Sequence, residues 1–188
     1  MLDELLAHPG VEERVVVAGP VGFMALHGGI EIGSVEVAEG AATRLGAGFY
    51  GVILPDDLWW HLPSTEFTPR HSPKLASFLD AVSLVFSVHG YGRPEWGETV
   101  LLGGGNRRVA SALADALQRR GLAVETDLDR IPRELRGVHP ANPVNLPEFG
   151  GVQVELPPGV RRGGAAEQVI DALVAVAAAE MRSLCARP

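Results

Sequence analysis

Apolar residues fall into two kinds of stretch along the chain. Short runs occur at Val15–Ala18, Gly22–Leu26, Phe49–Leu54, Val82–Val88, Val100–Leu102, Leu122–Val124 and Val152–Leu156, and each predicts a strand. The run Val82, Leu84, Val85, Phe86, Val88 is almost wholly apolar, as a central strand covered on both faces requires. The last run alternates instead, with Gln153 and Glu155 on one face and Val152, Val154 and Leu156 on the other. Between the strands, apolar positions recur at helical spacing. One helix runs from Ser34, as cap, to about Leu45, with Val35, Ala38, Ala42 and Leu45 inward. A second runs from an Asn106 cap to Arg120, with Val109, Leu113, Ala116 and Leu117 inward and Gly121 as its stop. A last helix, carrying Ile170, Leu173, Val174, Ala177 and Met181, reaches about Leu184. Strands alternating with helices predict an α/β fold, a mixed and largely parallel sheet covered by helices. The stretch Trp59–Pro73, with Trp59, Trp60 and three prolines, breaks both patterns and predicts an irregular excursion that serves a site.

Composition narrows the class. With 188 residues, 46% of them hydrophobic and 21% charged, the chain predicts a single domain over residues 1–188 with a substantial core. A net charge of −7 excludes general nucleic-acid binding, which needs a basic surface. The lone Cys185 excludes a disulfide framework and a cysteine-rich zinc site, and is read as a thiol without a chemical role. The first residues include Asp3, Glu4, Glu12 and Glu13 and show no signal-peptide pattern, and no segment reaches the ~20 apolar residues of a membrane span. The expectation is a cytoplasmic monomer with neither membrane nor nucleic acid as partner.

Two of the predicted strands end in the same dipeptide, His27-Gly28 and His89-Gly90. Ligand sites of open α/β sheets lie beyond the carboxyl ends of strands, so two imidazoles emerging there can share a metal. Glu31 is a plausible third ligand. Gly28 and Gly29 disfavour a helix, so a folded loop must bring it back to His27. Two histidines and a glutamate leave one tetrahedral position for water, the pattern of a catalytic zinc. A strand-end histidine serves equally as a hydrogen-bonded structural residue, and the residues alone leave both readings open. The remaining histidines, His8, His61, His71 and His139, are read as structural, His61 least securely because it follows Trp59-Trp60. Glu155 offers a general base, desolvated within an apolar strand, or else an acid on a solvated sheet face. Gly103-Gly104-Gly105-Asn106 precedes a helix but matches no dinucleotide or P-loop pattern and is read as a tight turn. Arg107 and Arg108 in the following helical turn are free to face an anion.

These residues resemble a known family. Leu26-His27-Gly28-Gly29-Ile30-Glu31-Ile32-Gly33-Ser34-Val35-Glu36-Val37-Ala38 is similar to the first motif of the poly-γ-glutamate hydrolases. The likeness continues, in order, through His61-Leu62-Pro63-Ser64-Thr65-Glu66-Phe67, Ser87-Val88-His89-Gly90-Tyr91, Leu102-Gly103-Gly104, Asn142-Pro143-Val144-Asn145 and Gly151-Val152-Gln153-Val154-Glu155-Leu156. It implies a zinc-carboxypeptidase-like fold with helices on both faces of the sheet and one Zn²⁺ per chain. His27, Glu31 and His89 would be the metal ligands and Glu155 the residue that activates water. The implied function is zinc-dependent amide hydrolysis of γ-glutamyl linkages in a polymer or peptide. Arg161, Arg93, Arg107, Arg108 and Asn145 are candidates to hold substrate, and Tyr91 to donate to the developing oxyanion. Two departures stand out. The loop ahead of Glu31 is one residue shorter than the family pattern, which makes Glu36 the substitute ligand if Glu31 cannot close, and Leu146 stands where the family tends to have an arginine. The rival readings are an amidase or carboxypeptidase acting on other glutamyl or cell-wall peptides, and a non-catalytic metal-binding domain.

Overall fold

The structure is a computed structural model and describes residues 1–186. Its strands are β1 (Glu12–Val16), β2 (Val21–Gly28), β3 (Gly48–Ile53), β4 (Leu84–Gly90), β5 (Val100–Leu102), β6 (Val124–Glu125) and β7 (Gly151–Leu156). They form one seven-stranded sheet in the order β1-β3-β2-β4-β7-β5-β6. The four central strands, β3, β2, β4 and β7, run parallel, while β1 and β5 are antiparallel to the neighbours they meet in this block. From β2 the chain passes first to β3 on one side and later to β4 on the other. The order therefore reverses between β2 and β4, and a crevice opens at the carboxyl ends of these two strands.

The helices are α1 (Leu2–Leu6), α2 (Ser34–Leu45), α3 (Pro73–Ala81), α4 (Arg107–Gln118), α5 (Pro158–Arg161) and α6 (Ala165–Cys185). They cover both faces of the sheet. Phe23, Ala25, Phe86, Val88, Val152 and Val154 pack against Val35, Leu113 and Leu173 of α2, α4 and α6. Met24, Leu26, Tyr50 and Val85 pack against Leu2 and Leu5 of α1 and Leu75 and Phe78 of α3. The fold is the mixed, largely parallel α/β sheet that the alternation predicts.

The local departures have local causes. Ser34 is the first helical residue of α2 rather than its cap; Gly33, at φ 98°, takes the cap position, and the Ser34 hydroxyl finds no hydrogen-bond partner. Asn106 does cap α4, its side chain accepting from the Val109 N–H. Helix α3 lies just where the proline-rich excursion ends. Pro73 opens it instead of closing the loop, and the buried Ser72 hydroxyl caps it by accepting from the Leu75 N–H at 2.9 Å. Strand β1 sits nearer the N-terminus than the apolar run suggests, because at the sheet edge a half-polar segment, Glu12–Val16, pairs well enough. Cys185 is exposed, and among the described residues no helix is long and apolar enough to cross a membrane.

Candidate metal centre

The crevice between β2 and β4 collects the two strand-end histidines. On β4 and β7, alternation sends Ser87, His89, Gln153 and Glu155 to the face away from α2, α4 and α6. On β2, strict alternation would send His27 to the opposite face, with Phe23 and Ala25. The register against β3 slips between Ala25 and Gly28, however, and His27 instead meets Phe67, edge-on at 5.6 Å between ring centroids. Phe67 belongs to the apolar cluster of Met24 and Leu26, so the slip aims His27 into the same cleft as His89.

The shortened loop closes well. The Glu31 N–H donates to the His27 carbonyl at 2.9 Å, with Gly29 at φ 86° making the turn. This folded loop brings the Glu31 carboxylate back onto His27, while Glu36 stands exposed on α2. His27 Nδ1 lies 3.0 Å from Glu31 Oε1 and 3.2 Å from His89 Nδ1, and His89 Nδ1 lies 3.4 Å from Glu31 Oε2. The Gly90 N–H donates to Glu31 Oε2 at 2.9 Å and holds the carboxylate in place. All three side chains are buried.

The donor chemistry fits a divalent cation. His27 Nε2 lies 2.8 Å from the Leu62 carbonyl, which can only accept, so Nε2 carries the hydrogen and Nδ1 presents a lone pair. His89 Nε2 is likewise occupied by the Ser87 hydroxyl at 2.9 Å. Electron-rich atoms thus converge from three side chains in a buried space, an arrangement that repels itself unless a cation or an extra proton lies between them. Ligands of a tetrahedral zinc at ~2.1 Å stand roughly 3.4 Å apart, close to the separations found here.

The electrostatics follow from crowding. Burial works against the charge of Glu31, but the facing His89 and the close contacts with both histidine rings outweigh it and hold the carboxyl below its usual range. Burial also works against a charged His89, yet the Glu31 and Glu155 carboxylates raise its pKa. Glu155 pairs in register with His89 across the β4–β7 ladder. Its burial pushes it up to about 7, helped by Glu31 and opposed by His89, Gln153 and Arg161. It is therefore no acid on a solvated sheet face; it is 3% exposed and lines the cleft.

The cleft encloses about 860 Å³. Its walls include His61, which the sequence alone reads as structural. The Trp59–Pro73 excursion lays the Leu62 carbonyl on His27 and the His61 ring over it, 4.5 Å between centroids, with His61 Nε2 4.0 Å from Glu31 Oε1. His139 also lines the cleft, as do Arg133 and Arg136, which carry no motif or periodic signal. Their nearest sequence signal is an unpatterned basic segment, Arg130–Arg136.

Of the residues expected to hold substrate, Arg93 and Tyr91 line this cleft and the others do not. Arg93 is paired with Glu134 and Glu95. The Tyr91 hydroxyl donates to the Thr99 carbonyl, so its hydrogen is engaged by the backbone here, and its pKa is pushed up to about 12 by burial and nearby acids. Arg107 and Arg108 border a separate hollow with Glu180; Arg108 pairs with Glu180, and Arg107 donates to the Leu102, Gly104 and Thr126 carbonyls. Asn145 is a strut that donates to the Gly137 and His139 carbonyls and accepts from the Gly105 N–H. Arg161 is buried and donates to the Ile32, Tyr91 and Leu156 carbonyls, so its guanidinium is bound to the backbone behind the site. Leu146 is exposed and outside the cleft lining.

The sequence profile described as poly-gamma-glutamate hydrolase matches residues 3–168. A bacteriophage poly-gamma-glutamate hydrolase shares the fold at a TM-score of 0.78 and 22% identity, covering 97% of this chain and 95% of that one. The zinc-free apo form of YNDL is similar at a TM-score of 0.73 and 21% identity, over 89% of each chain. A gene product of Agrobacterium tumefaciens is similar at a TM-score of 0.62 and 10% identity, over 92% of this chain and 94% of that one. No curated protein matches the sequence.

Proposed function

The chain belongs to the poly-gamma-glutamate hydrolase family, a family of amide hydrolases, and on that premise we propose that it is a zinc-dependent hydrolase of γ-glutamyl amide linkages. His27 Nδ1, Glu31 and His89 Nδ1 would hold the ion. The observation that carries the reading is the spacing of these donor atoms, 3.0 to 3.4 Å, with Glu155 beside them in register with His89.

A divalent ion there supplies Lewis acidity, polarising the scissile carbonyl and easing the deprotonation of water. Glu155 takes a proton from the attacking water as the new C–O bond forms. When the C–N bond breaks, Glu155 returns that proton to the departing amine. The new carboxylic acid then releases the second proton of the water, to the amine or to solvent, and leaves a carboxylate end and an amine or ammonium end. Burial raises the proton affinity of Glu155, as a carboxyl that must hold a proton between the two transfers requires. Substrate carboxylates would meet Arg93, Arg133 and Arg136 on the cleft wall.

Two measurements test the proposal. Metal analysis of the purified protein should find about one zinc per chain, lost in His89→Ala; absence of metal from the wild type sinks the zinc-dependent reading. Bound metal without amine release from any glutamyl peptide favours the non-catalytic metal-binding domain. Amine release should be faster from γ-linked than from α-linked glutamate oligomers, and equal rates, or preference for other glutamyl peptides, would move the substrate to the amidase or carboxypeptidase alternative.

A further inference from the structure

Glu155 is reached by a chain of side-chain amides whose direction is set at both ends by the backbone. At one end the Val144 N–H, which can only donate, gives its hydrogen to Asn142 Oδ1 at 3.2 Å. The Asn142 amide is thereby oriented, and its Nδ2 donates to Gln153 Oε1 at 3.0 Å. At the other end the Leu135 carbonyl, which can only accept, lies 3.3 Å from Gln153 Nε2. The second hydrogen of that NH₂ group goes to Glu155 Oε1 at 2.8 Å. Neither amide can be flipped without setting donor against donor or acceptor against acceptor.

Gln153 is also held from above. Gly137, at φ 61°, crosses it so closely that a Cβ there would lie 2.2 Å from Gln153 Oε1. Asn142 and Gln153 are both buried, at 4% and 3% exposure. Nothing in the reading of Glu155 as a general base requires this apparatus, yet two buried amides and a glycine crossing are devoted to one carboxylate oxygen.

We propose that Gln153, oriented by Asn142, is the positioning residue for Glu155: it holds Oε1 as a hydrogen-bond acceptor, so that Oε2 is the oxygen that takes and returns the proton. The inference rests on the general-base reading of Glu155. An N–H donated to Oε1 disfavours a proton on that oxygen, and it fixes the carboxylate plane. The single relayed proton then enters and leaves at one position, with no rotation of Glu155 between the two transfers. The charged and titratable groups facing Glu155 are His89 on β4, Glu31 on the loop after β2, Tyr91 just past β4 and Arg161 on α5. None of them replaces the Gln153 donor: the Tyr91 hydroxyl donates to the Thr99 carbonyl and Arg161 to backbone carbonyls.

The test compares wild type, Gln153→Leu and Glu155→Gln on a γ-linked glutamate oligomer, with zinc affinity measured by chelator competition. Gln153→Leu should lower kcat by roughly tenfold to a hundredfold, the cost of a misplaced catalytic group, with KM and zinc affinity within about twofold of wild type. The acid limb of its pH–rate profile should move to higher pH, because an N–H that favoured the ionised carboxylate is gone. If Gln153→Leu does not fold, Asn142→Leu keeps Gln153 but frees its amide, and should shift kcat and the acid limb in the same directions by less. Wild-type kcat and pH profile in whichever variant folds, together with an inactive Glu155→Gln, overturn the inference alone. An active Glu155→Gln overturns the general-base reading, and this inference with it.

Discussion

The guanidinium of Arg161 fills the space beside Gly90: an ideal Cβ on Gly90 would stand 2.8 Å from Arg161 Cζ. The contact explains why the strand bearing His89 ends in glycine, and it shows what the buried cation does. Arg161 donates to the Ile32 carbonyl at 2.8 Å, the Tyr91 carbonyl at 3.1 Å and the Leu156 carbonyl at 2.9 Å. These carbonyls belong to the residue after Glu31, the second residue after His89 and the residue after Glu155. One side chain therefore ties together the three segments that carry the proposed ligands and base, and its charge faces the two carboxylates. Removing it should loosen the metal site. Arg161→Met is expected to weaken zinc affinity by roughly 10- to 100-fold, the usual cost of losing a residue that orients ligands. Arg161→Lys should not rescue it, because a point ammonium cannot reproduce the planar fork. Chelator competition reads the effect, and wild-type affinity in both variants would show that the clasp has no bearing on the metal.

The buried Glu155 makes a pH prediction for the metal-free protein. Its carboxyl is held at about 7 in the folded chain, against 4.5 as its ordinary value. Between those pH values the folded protein keeps a proton that the unfolded chain has released. The stability this confers is present in full below pH 4.5 and is lost as pH rises through 7. Glu155→Gln has no proton to lose there. In chelator, the variant should therefore gain on wild type by on the order of 2–3 kcal/mol between pH 4.5 and 7, read from denaturant midpoints at each pH. Parallel curves for the two proteins would mean that Glu155 ionises in the folded state as readily as in water.

Most of the sheet was legible because its signals are local. The apolar run ending in Val88 and the alternation of Val152, Val154 and Leu156 each read correctly as strands, and the Asn106 cap marked α4, since such features depend on neighbours a few residues away. His27, His89 and Glu155 could be picked out because strand ends, and for Glu155 the alternation along its strand, are local signals. Alternation alone would put His27 on the opposite face, and only the slip of β2 against β3 and the turn at Gly29 bring it and Glu31 into the cleft. What the sequence hid was partner choice. Arg161 and Arg107 look like cations awaiting an anion, but each meets backbone carbonyls that the fold brings from distant segments. Gln153 was visible as the face-mate of Glu155, yet its orientation depends on Asn142 and Leu135, and no pattern in the sequence links them to it. Arg133 sits in a stretch without periodicity, and only the folded wall of the cleft gives it a place.

Metal removal should register as lost stability. An ion bound by the folded chain and not by the unfolded one stabilises by an amount set by its concentration relative to Kd, about 2.7 kcal/mol at a hundredfold excess. Adding zinc to chelator-treated protein should therefore raise the unfolding temperature by several degrees, and re-chelation should reverse it. His89→Ala removes one donor and should show no such response. If wild type and His89→Ala melt alike with and without zinc, the convergence of His27, Glu31 and His89 is structural, and the two histidines are hydrogen-bonded core residues.

Arg133 is the cation to examine for substrate binding. Of the arginines on the cleft wall, Arg93 is paired with Glu134 and Glu95, and Arg136 donates to the Ile131 and Asp129 carbonyls. Arg133 lines the same wall, is exposed, and has no ion-pair or hydrogen-bond partner for its guanidinium among the described residues. A γ-linked glutamate chain carries a free carboxylate on every unit, and a guanidinium with unused donors can take one in a bidentate pair. Such a contact lies away from the reacting bond and is made equally in the ground and transition states. Its loss should therefore appear in KM and leave kcat nearly unchanged. Because the site is exposed, solvent and salt weaken the contact, so Arg133→Ala is expected to raise KM by roughly three- to tenfold at low salt, with the gap from wild type narrowing as ionic strength rises. Steady-state kinetics at two salt concentrations decide the matter. A fall in kcat at constant KM would place Arg133 at the reacting bond, and no change in either would leave substrate recognition to Arg93 and Arg136.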